Sequence, residues 1–274
     1  MHGSRHRIKI RLFLLVIGFW MLGINVVQAM DQAEQAHGLP PVIRFNIAPG
    51  GYPPYTIIDA DGRVSGIMWD VMQVLAKRQN LTLETRQIPT KRVNHFLLAG
   101  RLDATMRAIE WTPDPDRFAF TDGVVKAHDV IFSARNAPID AHTINDLKGR
   151  TLLANLGYHH PALKPLFEAG DIRRVDVPNT LEMLQRLNAG AHFDGGIANA
   201  RAGQWLIRQH GWENAFHIEP VKLDVTEYRL MFAPQWAPLV EAFNQTLLDL
   251  RQSGELDGII SRYVPIDPQT VPGT

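Results

Sequence analysis

The amino-acid sequence predicts an α/β fold of two lobes, each a mostly parallel sheet flanked by helices. Short β-branched or apolar runs alternate with amphipathic helical segments along the chain, a pattern typical of parallel strands covered by helices. The alternation comes in two blocks of similar order, of about 85 and 95 residues. Hydrophobic residues make up 45% and charged residues 20% of the 274 residues, so the composition is that of a packed globular protein and excludes disorder.

The first block is predicted to read β–α–β–α–β. The helix after Gly66 is its clearest element, because apolar residues recur there with the spacing of one buried helical face. Turn-forming residues at 49–51 and 59–62 separate the neighbouring segments. The apolar face consists of Met68, Val71, Met72 and Leu75, the predicted strands are 42–48, 81–85 and 103–106, and the second predicted helix is 93–98.

The second block continues the alternation with no low-complexity linker before it. Asn179 is predicted to cap a helix, because Glu182 follows it three residues later and apolar residues at helical spacing come next. The chain is predicted to close with a long amphipathic helix around Leu247. The predicted strands are 130–132, 151–154, 174–177, 193–197 and 228–232, and the other predicted helices are 145–149 and 161–169.

The N-terminus is typical of an export signal. Four basic residues precede an apolar run at 12–24, and Val27-Gln28-Ala29 places small residues at the −3 and −1 positions of a cleavage site. We therefore expect a signal peptide at 1–29, cleavage after Ala29 and a location in the periplasm. An uncleaved membrane anchor is the alternative, since no charged residue interrupts 12–30. No second apolar run of that length follows, so we expect the rest of the chain to be soluble.

The composition of the chain excludes several classes of function. The absence of Cys excludes disulfides, thiol nucleophiles and Cys-ligated metals. Without the four N-terminal basic residues, 24 basic residues face 28 acidic ones, and this net charge of −4 argues against nucleic-acid binding. No nucleotide-binding, hydrolase or zinc-peptidase signature occurs, so no cofactor is expected. His159 and His160 are expected to face solvent or ligand rather than a metal, because adjacent side chains rarely point the same way.

Six short segments, in order, resemble the bacterial extracellular solute-binding proteins of family 3, the periplasmic receptors of polar amino-acid ABC transporters. None is specific alone, but their order is, and the resemblance covers about residues 42–265. The segments are 52–55 (YPPY), 66–70 (GIMWD), 89–92 with 100–104 (GRLDA), 118–122 (FAFTD), 146–150 (DLKGR), and 247–254 with 259–263.

The resemblance implies a type II periplasmic binding fold whose two lobes are joined by two crossovers and close on a small ligand. Lobe 1 would comprise residues 42–125 plus 222–265, and lobe 2 residues 126–221. It also implies a non-enzymatic protein, with the membrane permease of an ABC transporter as its partner. We expect a monomer.

The sequence departs from this family at both charged anchors for an α-amino acid. Relatives usually hold the ligand carboxylate with an Arg whose position falls here on Asp114 or Pro115. They usually hold the ammonium with an Asp whose position falls on Asn199. An unpaired buried charge is costly, so a standard α-amino acid is not expected as the ligand.

The resemblance also indicates which residues line the cleft of the first lobe. Tyr52 is expected to stack on the ligand, and Tyr55 to contact the ligand or join the core. Trp69 is either a ligand contact or packing at the start of the helix that follows Gly66. Arg92 either contacts the ligand or pairs with an acid.

The two remaining groups of candidates follow predicted strands. Arg107 ends the third strand and is the preferred anion anchor, with pairing to Glu110 on the same loop as the alternative. Tyr158 and His159 are expected at a helix start in the second lobe, where backbone amides would receive an anion. With Asn199, these residues complete the predicted ligand site.

Three functions are consistent with these residues. We expect a binding protein that closes on a small anionic or aromatic solute and delivers it to an ABC-type permease. The first alternative is a ligand receptor for a membrane sensor. The second is an enzyme on the same fold, a dehydratase of the cyclohexadienyl type, with Glu110 as its acid.

Overall fold

The computed structural model describes residues 41–190, 192–223 and 225–263, so the predicted signal segment lies outside the described residues. Twelve strands are described: β1 Val42–Ile47, β2 Ile57–Ile58, β3 Val64–Ser65, β4 Thr82–Gln87, β5 Ala104–Arg107, β6 Ala119–Phe120, β7 Val125–Ala134, β8 Thr151–Asn155, β9 Arg173–Val177, β10 Gly195–Asn199, β11 Phe216–Ile218 and β12 Val225–Phe232. The α-helices in the same ranges are α1 Ile67–Arg78, α2 Thr90–Leu98, α3 Lys164–Glu168, α4 Thr180–Asn188, α5 Ala200–Gln209, α6 Ala237–Gln252 and α7 Glu255–Ser261.

The strands form two groups joined by a pair of antiparallel strands. In the order β4-β1-β5-β12-β7-β10-β8-β9, β1 is parallel to β4 and β5, and β8 is parallel to β9 and β10. β12 and β7 lie between these groups and pair antiparallel over Val225–Tyr228. From Arg229 onward β12 pairs with β5 instead. The predicted α/β class, with parallel strands flanked by helices, is confirmed.

Each group of strands has a hydrophobic core of its own. The core around β1, β5 and α6 includes Phe45, Phe232 and Trp236 and defines lobe 1. The group β8–β10 has two cores, one around Phe132 and one around Ile131, and defines lobe 2. Successive side chains of a strand point to opposite faces, so a strand covered on both faces reads as a continuous apolar run. The lobe boundaries expected above stay a prediction.

Most predicted elements are present, with ends that differ by a few residues. The cap at Asn179 is confirmed, since its side chain accepts the Glu182 N–H at 2.9 Å. The helix predicted at 145–149 is instead one 3₁₀ turn, and the helix predicted from 161 begins at Lys164.

Helix α5 and strand β11 were not predicted. Gly203 lies within α5, and a Gly inside a segment argues against a helix there. The structure explains this Gly, because a Cβ at its position would come within 2.3 Å of the Phe132 ring. The missing side chain therefore lets α5 approach β7 closely. Among the described residues, none of the helices is long and apolar enough to cross a membrane.

Asp103 joins three parts of lobe 1. Its buried carboxylate accepts the backbone N–H of Arg44 at 2.8 Å and the Arg44 guanidinium at 2.6 and 2.8 Å. It also accepts the Trp236 indole N–H at 3.1 Å. A buried carboxylate is tolerated only when its oxygens are occupied in this way.

We expect Asp103→Ala to lower the free energy of unfolding by about 3 kcal/mol, because it leaves the Arg44 and Trp236 donors without their acceptor. Urea unfolding followed by circular dichroism measures this. Asp61→Ala, which removes an exposed ion-pair partner of Arg63, is the matched control and should change stability by less than about 1 kcal/mol. Equal effects of the two substitutions would contradict the structural role of Asp103.

Candidate functional site

A cavity of about 440 Å³ lies between the lobes, beyond the carboxyl ends of β1, β4, β5 and β8. Open α/β sheets bind ligands at this edge, and the volume suits a small molecule. We name it the first cavity. Lobe 1 and β12 line it with Asn46, Gly51, Tyr52, Thr56, Thr90, Thr105, Met106, Arg107, Trp111 and Tyr228, and lobe 2 with Asp129, Gly157, Tyr158 and His159.

Aromatic rings cover one side of the first cavity. Tyr228 lies where β12 changes partner from β7 to β5. Its ring meets Tyr55 edge-on at 4.8 Å between centroids and Trp111 at 5.7 Å. Tyr52 stacks on Tyr55 at 5.4 Å. Burial raises the pKa values of Tyr52 and Tyr228 well above their ordinary range, so both hydroxyls are neutral at physiological pH.

Arg107 brings a positive charge into the first cavity. It ends β5, as predicted, and its buried Nε has no hydrogen-bond partner among the described residues. Burial lowers the pKa of its guanidinium, and the neighbours that oppose this shift are Tyr158 and Tyr228 rather than a carboxylate. The alternative of an ion pair with Glu110 is wrong. The Glu110 carboxylate instead accepts the Thr226 hydroxyl at 2.6 Å.

Tyr55 and Asn199 connect the two lobes. The Tyr55 hydroxyl donates to Asn199 Oδ1 at 2.8 Å, and the same oxygen accepts the Ala202 N–H at 3.2 Å to cap α5. Burial raises the pKa of Tyr55 to about 12, which keeps the hydroxyl protonated. The two side chains are buried and do not line the first cavity.

Asp129 is an acid that the sequence analysis missed. It lies on β7 directly opposite Asn199 in the antiparallel register and lines the first cavity. Its Oδ2 is 2.9 Å from Nδ1 of His160, whose side chain is only 3% exposed. His160 is therefore buried against an acid that lies 31 positions away in the sequence. The sequence signal that indicates Asp129 is its position next to His128, where two polar residues interrupt the mostly apolar strand β7.

A second, smaller cavity adjoins the first. Its volume is about 250 Å³, and it shares Trp111, Asp129 and His159 with the first cavity. Glu110, His128, His160 and Thr226 also line it. No group of three or more His, Cys, Asp or Glu side chains in the described part of the chain is arranged to bind a metal ion.

The predicted site residues therefore divide into four sets. The first cavity brings together Tyr52, Arg107, Tyr158 and His159, and the second takes Glu110. Tyr55 and Asn199 form the bridge between the lobes. Trp69 is packed against Phe45 at 6.2 Å between ring centroids, and exposed Arg92 lines neither cavity.

The helix start predicted at Tyr158 and His159 is wrong. Both residues lie in a loop, and the Tyr158 N–H donates to the Asn155 carbonyl at 3.0 Å in a turn. The next helix, α3, begins only at Lys164, because Pro161 and the turn after it hold the intervening chain. The two side chains line the cavity from a loop instead.

Two lobes joined by antiparallel strands, with a cavity between them, define a type II periplasmic binding protein. The chain belongs to the bacterial extracellular solute-binding proteins, family 3, and the match covers residues 46–266. No match is found among curated proteins.

Solved structures share this fold. A histidine kinase sensor domain with similarity to periplasmic binding proteins is 24% identical over 81% of this chain and 96% of that chain, with a TM-score of 0.66. An ancestral arginine-binding protein bound to arginine is 18% identical over 82% and 99%, with a TM-score of 0.67. The amino acid ABC transporter substrate-binding protein AbpA from Streptococcus pneumoniae, bound to L-arginine, is 17% identical over 81% and 94%, with a TM-score of 0.65. At these identities the likeness shows the fold alone.

We expect Tyr55→Phe to favour an open cleft in the ligand-free protein. The substitution removes the hydroxyl that joins the lobes, at a stability cost of about 1 kcal/mol, while the Ala202 N–H still satisfies Asn199. Small-angle scattering should show a larger radius of gyration. Tyr263→Phe, which removes a hydroxyl bonded to Asp70 within lobe 1, is the control. An unchanged radius for Tyr55→Phe would show that the bridge does not hold the lobes together.

We also expect His128 to make stability depend on pH. Burial lowers its pKa from the ordinary value of 6.5, and nearby Arg201 lowers it further against the opposing charge of Asp129. Below pH 6.5 the unfolded chain therefore binds a proton that the folded protein does not. The free energy of unfolding therefore decreases as the pH is lowered. His128→Gln should flatten this fall between about pH 7 and pH 5, measured by urea unfolding. Exposed His142→Gln controls for the loss of an imidazole, and an unchanged slope in His128→Gln would contradict the assignment.

Proposed function

We propose that the protein is a periplasmic binding protein for a small anionic solute with an apolar or aromatic body. One observation carries this proposal: Arg107 places a guanidinium in the first cavity with a buried Nε that has no partner among the described residues. Leaving a buried charge uncompensated costs several kcal/mol. A carboxylate, which matches the guanidinium fork with two parallel hydrogen bonds, would remove this cost.

The walls of the first cavity fit the body of such a solute. Tyr52, Trp111 and Tyr228 present ring surface, and Tyr158 faces them from lobe 2. Burial raises the pKa of Tyr158 as well, so these hydroxyls are neutral donors that do not repel an anion. The rings would hold an apolar body by burial, while Arg107 sets its orientation.

Binding in this cavity would favour the closed cleft. A ligand that contacts both lobes gains free energy only when they are together, and this difference shifts the population to the closed state. In this family the closed form is expected to present both lobes to the permease of an ABC transporter. Delivery to a membrane sensor is the second candidate, favoured by the similarity to the histidine kinase sensor domain. Pull-down against membranes from the producing bacterium, with mass spectrometry, separates permease from sensor.

We expect Arg107→Ala to weaken the binding of a small carboxylate, with benzoate and hexanoate as probes, by about 2–4 kcal/mol. Arg107→Lys should recover only part of this loss, because a point charge cannot form the two parallel bonds. Isothermal titration calorimetry measures the affinity, and the melting temperature of the ligand-free variants is recorded alongside. A lower melting temperature with unchanged affinity would show that Arg107 is structural. A failure of both probes to bind the wild type would reject the proposed carboxylate class.

We expect no standard α-amino acid to stabilise the protein at sub-millimolar concentration, because the positions of the two charged anchors fall on Asp114 or Pro115 and on Asn199. A thermal shift assay tests all twenty. A ligand at 100 times its dissociation constant stabilises by about 2.7 kcal/mol, so a bound amino acid would be visible. A clear rise in melting temperature with any of them would contradict the assignment of these positions.

A further inference from the structure

The second cavity contains a polar atom that the fold itself leaves unused. His160 is buried, and its Nε2 has no hydrogen-bond partner among the described residues. Its other ring nitrogen lies 2.9 Å from the Asp129 carboxylate. When the ring is neutral and Nδ1 donates to this carboxylate, Nε2 carries a lone pair and can accept a hydrogen bond from a ligand. Buried polar atoms without a partner are rare in folded proteins, and on a residue that lines a cavity such an atom is a candidate for contact with a ligand.

The charged side chains of the two cavities differ, although both cavities share Asp129. Arg107 is the basic side chain in the first cavity, whereas the second is lined by Glu110 and Asp129, with no Lys or Arg among the described residues that line it. Asp129 engages His160 through Oδ2, and its Oδ1 has no partner in the described part of the chain. The second cavity therefore offers carboxylate oxygens and an imidazole acceptor, which together suit a protonated amine.

Few side chains separate the two cavities. Trp111, Asp129 and His159 line both of them. Trp111 is 37% exposed, and His159 is exposed as well, so neither is fixed in the core. The face of the Trp111 indole also attracts a cation through a cation–π interaction. A linear molecule whose anionic group binds Arg107 would therefore extend past Asp129 into the second cavity.

We propose that the ligand is a linear ω-amino acid type of molecule, whose carboxylate binds Arg107 and whose terminal ammonium enters the second cavity and binds Asp129, Glu110 and Nε2 of His160. This proposal rests on the proposed function, since it takes Arg107 as the anion anchor. Charges at opposite ends are essential to it. An ammonium next to the carboxylate would lie beside Arg107, where the first cavity offers no acid except Asp129 of the other lobe.

A series of matched probes tests the length and the charge of the ligand by calorimetry. The probes are 4-aminobutanoate, 6-aminohexanoate and 8-aminooctanoate, the amine-free acids of equal length, and lysine. Beyond a minimum length, the terminal amine should raise affinity by about tenfold or more, as expected for a charge-assisted hydrogen bond. Lysine is 6-aminohexanoate with an added α-ammonium, so it should bind more weakly than 6-aminohexanoate.

Three variants test which side chains cause the increase in affinity that the terminal amine gives; this increase is called the gain below. Asp129→Asn and Glu110→Gln should each reduce the affinity ratio between the ω-amino acid and the amine-free acid of equal length, with both affinities measured on the same variant. His160→Asn keeps a donor near the Nδ1 position and removes Nε2, so it should reduce the gain without releasing Asp129. Asp116→Asn removes a carboxylate from the loop after Glu110 that lines neither cavity, and should leave the gain unchanged.

The outcomes separate this proposal from the proposed function. If carboxylates bind through Arg107 but the amine adds no affinity at any length, or if its gain survives in Asp129→Asn and Glu110→Gln, the second cavity is not a ligand subsite and only this inference is overturned. Tighter binding of lysine than of 6-aminohexanoate would overturn it as well. If no carboxylate binds the wild type, both proposals are overturned.

Discussion

The site depends on one short ladder between two crossing strands. Among the described residues, β7 and β12 pair over Val125–His128 and Val225–Tyr228, and each strand then pairs with a different neighbour, β7 with β10 and β12 with β5. The register of this ladder places Tyr228 at the change of partner, beside the end of β5 that carries Arg107. It also brings Asp129, one residue beyond the ladder, next to the end of β10 at Asn199. Both lobes therefore line the cleft with the ends of strands that the same few hydrogen bonds fix. Under the proposed function, a hinge motion at this ladder would move Arg107 and Asp129 relative to each other.

The buried polar groups of the protein serve two different purposes. Asp103 accepts three donors from Arg44 and one from Trp236, and Glu219 accepts Ser133 and two backbone N–H groups, so each oxygen is occupied and the groups stabilise the fold. Arg107 and His160 have buried nitrogens without such partners, and both residues line cavities. An unpaired buried group costs free energy wherever it lies, and the position of Arg107 and His160 at cavities is what makes them candidates for contact with a ligand.

Asn199 makes contacts on both sides of the cleft. The amide oxygen caps α5 and receives the Tyr55 hydroxyl from lobe 1, so this position holds the lobes together in the absence of a ligand. The negative charge of lobe 2 is instead on Asp129, on the neighbouring strand, where His160 holds one of its oxygens. Under the proposed function, Asp129 rather than Asn199 is the charged side chain of lobe 2 that a ligand in the first cavity can reach.

Sequence alone determined the class of fold, the order of most elements, and the position of Arg107 at the end of β5. These features follow from local periodicity, caps and turn residues, which act over a few positions. It could not predict α5, because only the packing against Phe132 explains Gly203 within a helix. Only the tertiary structure decided that Tyr55 is a bridge, that Tyr228 lines the cleft and that Asp129 meets His160. Each of these depends on strand register and on contacts between residues 31 to 176 positions apart, which no local pattern encodes.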